Sequence, residues 1–461
     1  MKYDVVIIGG GSAGIAALEG AKAAGAKSVC VVEADKRLGG ECSYWACVPT
    51  KAMLKAAKLY HEAKYTLGRY GVKATQVNYD FNTMLNRRDA VVNSITGNGQ
   101  RLIAFTKQLK AVVKFGSARF VNADTIEVKG EHIQAKAFVI ATGSQERLPV
   151  LDGLEQVQIW SSRDVVSMKK LPGSVAIIGA GPVGAEFATL FGLLGVKTTL
   201  IDSGEQILPR EDPEVAALAE ISLRQRGVEV YTKTKPLSIK RDGRRLRLTF
   251  QVGRKPRRTI TVERVIAAVG RRPRLDGLML AQAGILVDAH GNLSVNTYLQ
   301  TNQSHIFVAG DAHSRFQFTH VASHEGYIAG WNAAHRLTKK TMMTAHDRVI
   351  PRVTFVDPEV ASVGMSVVQA RQAKKNFKLW RCPMTLLGRA AIDGNRVGML
   401  KVITDIQSGH ILGAHVIGER AGEVMHELAL AIHAGIPFAQ VQSMLHAYPS
   451  WSECIPAAQM N

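Results

Sequence analysis

Apolar and polar positions along this chain sort into a unit that occurs twice. Residues 5–18, VVIIGGGSAGIAAL, open on consecutive apolar residues, break at glycines and resume as an apolar stretch; residues 175–190, VAIIGAGPVGAEFATL, repeat that order. An unbroken apolar run of strand length predicts a buried strand, and the apolar stretch after the glycines predicts a helix packed on it. Each unit leads to a second apolar run ending in an acid, Glu33 in SVCVVEAD and Asp202 in KTTLIDSG. Every apolar run is broken by glycine or charge well short of the roughly 20 residues of a bilayer-spanning helix, so no membrane span is predicted.

The glycines of both units follow the spacing G-x-G-x-x-G: Gly9, Gly11 and Gly14 in the first, Gly179, Gly181 and Gly184 in the second. The first glycine permits a tight turn, the second lets backbone approach a pyrophosphate, and the third lets helix pack on strand. The helix N-terminus then faces the phosphates, and the acid accepts hydrogen bonds from ribose hydroxyls. One such motif is weak evidence; two, each with strand, helix and acid in register, are strong. The fold class is therefore α/β, with two Rossmann-like dinucleotide-binding domains and two bound dinucleotides expected. Asp202 would accept from a free 2′-hydroxyl and repel a 2′-phosphate, which favours NADH over NADPH in the second fold. The basic charge of the chain pulls the other way and keeps NADP as the alternative.

That charge is large: Lys plus Arg number 58 against 38 Asp plus Glu, a net +20 over 461 residues. Much of the excess lies between Lys235 and Arg274, where Lys240, Arg241, Arg244, Arg245, Arg247, Arg254, Lys255, Arg257 and Arg258 face only Asp242 and Glu263. The stretch reads as a solvated β-hairpin surface, with docking of an acidic protein partner as the alternative. No RNA-type aromatic motif interleaves with these charges, which disfavours nucleic acid. The first residues, Met1 to Asp4, run directly into the apolar stretch without the pattern of a signal peptide, so a cytoplasmic protein is expected. Thiols in that compartment are kept reduced, and a close cysteine pair there is catalytic or metal-binding rather than a structural staple.

Such a pair stands in GGECSYWACVPTK, residues 39–51, which holds Cys42 and Cys47 just after the first unit, on a loop entering a helix whose Pro49 suits a first turn. A zinc site would need two further ligands, yet Cys30 sits inside a strand and Cys382 and Cys454 are isolated. His426 and Glu427 begin HELAL with Leu430 where a second zinc-binding His would stand, so that run reads as a helix surface; His320 and His324 are given no metal either.

At this point the sequence resembles the pyridine nucleotide-disulfide oxidoreductases, the family of dihydrolipoamide dehydrogenase, glutathione reductase and mercuric reductase, over essentially its full length. The residues that carry the resemblance are GGGSAG with Glu33, the C-x4-C followed by P-x-K, ATG at 141–143, GAGPVGAE at 179–186, VGRRP at 269–273 and HIFVAGDA at 305–312. The resemblance implies FAD in the first fold, held by Gly9, Gly11, Ser12, Ala13, Gly14, Glu33, Gly40, Lys51, Gly116, Ala141, Thr142, Gly143, Gly310 and Asp311. It places NAD in the second, with Gly179, Gly181, Val183, Gly184, Asp202 and Gly270. Lys51 and Glu186 match an ion pair beside the flavin, and Cys42 and Cys47 match a redox disulfide in which Cys47 faces the flavin and Cys42 meets the substrate. This fits the chemistry: a flavin accepts two electrons and a vicinal dithiol stores two. The domains implied are 1–147 and 271–340 for FAD, 148–270 for NAD, and a dimerisation domain at 341–461 that includes VTFVDPEVASVGMS. A homodimer follows, in which the Glu453 segment of one subunit completes the site of the other.

One position departs from the pattern. Disulfide-reducing members carry a His followed by Pro and, five residues after the His, a Glu; here LHAYPSWSE keeps Pro449 and Glu453 but has Tyr448 in place of the His. Imidazole titrates near neutrality, whereas a phenol is ionised to about one part in a thousand at pH 7. Loss of a general base costs about 10² to 10⁴ in rate. His446, two residues away, is the candidate substitute. The expected enzyme passes reducing equivalents from NAD(P)H through FAD and the sulfur pair to a small-molecule disulfide, a quinone or a metal ion. Mercuric reductases place a tyrosine near their active cysteines, but this chain lacks that enzyme's vicinal C-terminal cysteine pair. Ser43, Tyr44, Trp45 and Ala46, between the two cysteines, would restrict access or offer a stacking surface to a flat acceptor. The rivals are a true dihydrolipoamide dehydrogenase with His446 or water as base, and a redox-sensing flavoprotein with a basic docking surface.

Overall fold

Val5, Val6 and Ile7 are completely buried, and in the computed structural model, which describes residues 2–313, 316–338, 341–346 and 349–460, they lie in the strand Lys2–Ile8. This strand pairs in parallel with Val29–Glu33 on one side and with Glu131–Ile140 on the other. Val112–Phe115 extends the sheet beyond Val29–Glu33. On the far side of Glu131–Ile140, its first half pairs antiparallel with Thr125–Val128, which pairs antiparallel in turn with Ala118–Asn122, and its last residues pair in parallel with Ile306–Val308. Both faces are covered: Val5, Ile7, Val31 and Val139 face one apolar cluster, Val6, Ile8, Val32 and Phe138 another. That is why the run reads as continuously apolar.

The chain forms two compact units, the first comprising Met1–Ala52, Asn82–Arg147 and Arg271–His346, the second Met53–Phe81, Leu148–Gly270 and Asp347–Asn461. In the first, the helix Ser12–Ala24 lies against the helix Thr319–Thr338 at backbone contact. A Cβ added to Gly326 would sit 2.1 Å from the carbonyl oxygen of Ala13, and one on Gly330 only 1.9 Å from that of Ala17. Glycine is required there because no other residue permits so close an approach.

In the second unit the repeated motif forms the parallel sheet Val228–Tyr231, Lys197–Ile201, Ser174–Ile178 and Arg264–Ala267. The basic stretch forms an antiparallel sheet of Thr234–Asp242, Arg245–Val252 and Arg257–Val262. Ile239, Leu248 and Phe250 point into its core, and Lys240, Arg241, Arg244, Arg245, Arg254, Lys255, Arg257 and Arg258 are exposed. The C-terminal portion is an antiparallel sheet built on Glu359–Gly364, Ile411–Gly418, Met399–Asp405 and Phe377–Pro383, covered by the helix Ala421–Ala434. No helix among the described residues is long and apolar enough to cross a membrane.

A buried ionic cluster ties the segment 211–214 to that C-terminal sheet. The Lys401 ammonium, 2% exposed, donates to Asp212 Oδ1 at 2.9 Å and Glu214 Oε1 at 2.7 Å. Arg381 forms a two-point contact with Glu214 at 2.9 and 2.8 Å, and Arg352 and His415 approach Glu211. The Arg381 contact first, and Lys401 after it, pull the Glu214 carboxyl down from 4.5 to about 2. A carboxyl lowered on folding contributes stability above its ordinary range and loses it as pH falls toward the folded value.

Removing one partner of such a pair strands a buried charge. Lys401→Ala is expected to cost about 3–5 kcal/mol, read as a lower urea midpoint of the second unit. Stability of the native protein should decline as pH falls from about 4.5 toward 2; a flat profile over that window would contradict the assignment.

Candidate active site

The first glycine turn is closed by backbone. Gly9 has φ +113°, and a Cβ there would lie 2.2 Å from the Ala141 carbonyl oxygen; one on Gly14 would lie 1.7 Å from the carbonyl oxygen of Gly9. No side chain caps the helix Ser12–Ala24, whose N-cap is Gly11, so the first-turn amides of Ser12 and Ala13 are presented to a ligand. Gly40 stands against Gly11, where a Cβ would come within 2.9 Å of the Gly11 Cα. Glu33 holds the turn as well as facing it: its Oε2 accepts from Gly10 N at 2.8 Å and its Oε1 from Asp35 N at 2.7 Å. Burial pushes its carboxyl up against those two bonds. Gly116 donates its N–H to the Glu33 carbonyl at 2.8 Å. Thr142, in the ATG segment, keeps a buried hydroxyl with no partner among the described residues. Gly143, at φ +71°, opens onto free space.

Asp311 follows Gly310 on a short turn at the head of the helix Thr319–Thr338. Its Oδ2 accepts from the Ser144 hydroxyl at 2.7 Å, and that hydroxyl in turn accepts from Arg271 Nε at 2.7 Å. Burial raises the Asp311 carboxyl, opposed by the Ser144 bond and the Arg271 charge. Glu325 accepts the Gly310 N–H at 2.8 Å and lies 3.1 Å from His313 Nε2. Ser144, Arg271 and Glu325 position the Asp311 turn and were not singled out from the sequence. Arg271 did stand inside the motif VGRRP at 269–273.

The second turn repeats the first. Gly179, at φ +104°, lies against Ala268, and a Cβ on Gly184 would meet the Gly179 carbonyl oxygen at 1.8 Å. Asp202 Oδ2 accepts from Ala180 N and Oδ1 from Gly204 N, each at 2.6 Å. A side chain at Gly181 would meet nothing within 4 Å, and Val183, in the first turn of the helix Pro182–Leu193, is exposed beside it. Gly270, at φ +98°, also faces open space.

Cys42 lies in a short helix, Gly40–Tyr44, rather than in a loop, a correction to the reading of the sequence. Gly39 and Gly40, both at positive φ, turn the chain into a helical conformation that Trp45 N closes onto Glu41 O at 2.8 Å. Cys47 is the first residue of the helix Cys47–Tyr65, and Lys51 follows one turn on, on the same face. The hydrogen bond to Cys47 first, and burial second, push the Cys42 thiol far up, while Thr319 and Lys51 oppose the shift. Thr319 Oγ1 stands 3.5 Å from Cys47 Sγ. Tyr44 does not offer a stacking face: it is buried, its hydroxyl donates to Leu38 O at 3.1 Å, and Arg37 covers its ring at 4.1 Å. Glu41 is paired with Arg274 at 3.3 Å.

The C-terminal residues lie in the second unit. Tyr448 is 79% exposed in the single chain. Glu453 Oε2 accepts from Ser450 N at 3.0 Å, capping its own turn. His446 has both ring nitrogens engaged, Nδ1 with the Met444 carbonyl at 2.9 Å and Nε2 with Glu427 Oε1 at 2.8 Å. His426 is exposed on the helix Ala421–Ala434 beside Glu427. Glu186 is buried and accepts the Phe355 N–H at 3.0 Å. Lys51 belongs to the first unit and Glu186 to the second.

The uncapped first turn, the orphaned Thr142 hydroxyl and the held Asp311 carboxylate suit a flavin dinucleotide, with anion-binding amides for pyrophosphate and polar groups for the ribityl chain. Residues 3–326 match the model of the pyridine nucleotide-disulphide oxidoreductases, and residues 350–459 match the dimerisation domain of the same family. A dihydrolipoyl dehydrogenase of Thermus scotoductus is 35% identical over 98% of this chain and 95% of its own length. A mercuric reductase of Bacillus cereus is 31% identical over 99% of this chain and 71% of its own. Among solved structures, the Cu(II) complex of the HOCl-induced flavoprotein disulfide reductase RclA from Escherichia coli superposes with a TM-score of 0.86 at 26% identity, covering 99% of this chain and 98% of that one. With both modules matched and two dinucleotide turns of the required form, the chain belongs to the pyridine nucleotide-disulphide oxidoreductase family and is an FAD-binding, NAD(P)H-dependent flavoprotein disulfide reductase.

Proposed function

We propose that this enzyme is a homodimer that draws on NADH and uses Cys42 and Cys47 as its redox pair, and that its terminal acceptor is a soft metal ion rather than lipoamide. The observation that carries the choice of acceptor is that the segment 446–453 offers no free imidazole among the described residues. Tyr448 stands where the family has its imidazole, and both nitrogens of His446 are engaged, one with the Met444 carbonyl and the other with Glu427 of the helix Ala421–Ala434. The Met444 carbonyl can only accept, so Nδ1 of His446 donates and Nε2 faces the Glu427 carboxylate; the ring is held as a local clamp. Two of the relatives fit this reading, one being a mercuric reductase and one having been solved with Cu(II).

FAD, held by the first glycine turn and the Asp311 segment, supplies the two-electron link between nicotinamide and sulfur. The residues of the chain do the rest. Asp202 and Glu33 brace their turns so that first-turn amides meet each pyrophosphate. Cys47, at a helix N-terminus with Lys51 one turn on, is where negative charge is favoured, and Cys42 keeps the shared proton. A soft ion binds thiolates directly and displaces that proton, so no imidazole is needed. As the S–S bond between Cys42 and Cys47 forms, two electrons pass to the metal, one Hg(II) or two Cu(II), and no atom is transferred. Reduction of a dithiol-forming substrate, by contrast, requires a proton at the leaving sulfur, the step that Tyr448 serves poorly.

NADH-dependent turnover with lipoamide, glutathione disulfide, quinones, Hg(II) and Cu(II) tests this directly. The metal ions are expected to lead, and lipoamide turnover equal to theirs would overturn the reading. Tyr448→His should raise lipoamide reduction by about tenfold or more, within the range general bases supply; no rise would mean that the base is not the missing element. Because Asp202 repels a 2′-phosphate, the KM for NADPH should exceed that for NADH by about tenfold or more, and equal values would remove Asp202 from nucleotide selection.

A further inference from the structure

The Thr319 hydroxyl has a partner that no nucleotide explains. It opens the helix Thr319–Thr338, stands 3.5 Å from Cys47 Sγ, and opposes the upward shift of the Cys42 thiol. Two helix N-termini therefore meet at the sulfur pair, that of Cys47–Tyr65 and that of Thr319–Thr338, and both favour negative charge there. A single hydroxyl has one proton to donate. It can serve whichever sulfur is charged, by rotation about its Cβ–Oγ bond.

We propose that Thr319 is the positioning residue that lets charge pass between the two sulfurs of the reduced pair, donating to Cys47 when the charge rests there and to Cys42 once it has moved. The transfer is a proton exchange without electrons: the S–H bond of Cys42 breaks, an S–H bond forms on Cys47, and the nucleophile appears at Cys42. The hydroxyl keeps its own proton throughout. In a chain with Tyr448 in place of an imidazole, this supplies a local route to a Cys42 thiolate. The inference rests on the reading of Cys42 and Cys47 as the redox pair.

The test is alkylation of the phosphine-reduced holoenzyme by iodoacetamide across pH, with the modified cysteine located by mass spectrometry. In Thr319→Val the midpoint for Cys42 alkylation should rise by about one pH unit, leaving about tenfold less reactive thiolate at neutral pH. Thr319→Ser should restore the native profile to within about threefold, since it keeps the hydroxyl. Thr319→Ala provides a second hydroxyl-free variant should the valine disturb folding, with the same upward shift expected. A Val or Ala profile that superimposes on the native one, or a Ser profile that matches Val, would overturn the assignment. Replacing the phosphine by NADH separates this from the broader reading: if NADH exposes neither cysteine while the Val shift persists, the redox pair is misassigned and the role of Thr319 in thiol charge stands.

Discussion

Two helices touch backbone to backbone, and the disposition of the candidate site in the first unit depends on that contact. Gly326 and Gly330 rest on the carbonyls of Ala13 and Ala17, with no room for a methyl group. The helix Ser12–Ala24 carries the first nucleotide turn at its N-terminus; the helix Thr319–Thr338 carries Thr319 at its own and follows the Asp311 turn. Locking one helix onto the other sets the first glycine turn, the Asp311 carboxylate and the hydroxyl beside Cys47 as one rigid arrangement. A looser contact would let the sulfur pair and the nucleotide turn drift independently, and positioning errors of an ångström are costly in such chemistry.

Within that frame the electrostatics share one theme: a half-buried acid is kept useful by main-chain or hydroxyl donors. Glu33 and Asp202 each accept two backbone N–H groups, and Asp311 accepts the Ser144 hydroxyl backed by Arg271. In the second unit the segment 211–214 goes further and places carboxylates against Lys401, Arg381, Arg352 and His415. These pairs cost desolvation and repay it only when complete. The exposed basic sheet is different in kind, since its cations face solvent.

Much of this was legible in the sequence because it is local. The strand–glycine–helix–acid order appears within about thirty residues in each copy and marks both nucleotide turns, and the short cysteine spacing marks the sulfur pair. The run of basic residues between Lys235 and Arg274 marked a solvated β surface for the same reason. What the sequence hid is long-range. Ser144 meets Asp311 across 167 residues, Cys47 meets Thr319 across 272, and Lys401 meets Asp212 across 189. No periodicity records such pairings. The short helix around Cys42 was missed because paired glycines read as a loop, whereas here their positive φ values start a helical turn.

The central claim is that Cys42 and Cys47 store the second pair of electrons that the enzyme takes from its nicotinamide. Anaerobic titration with NADH, counting equivalents consumed and free thiols produced, tests it most directly. The account predicts uptake of about two equivalents per subunit with two new thiols in the native protein, and of about one in Cys47→Ser. Uptake of a single equivalent by the native protein, with no thiol released, would contradict it.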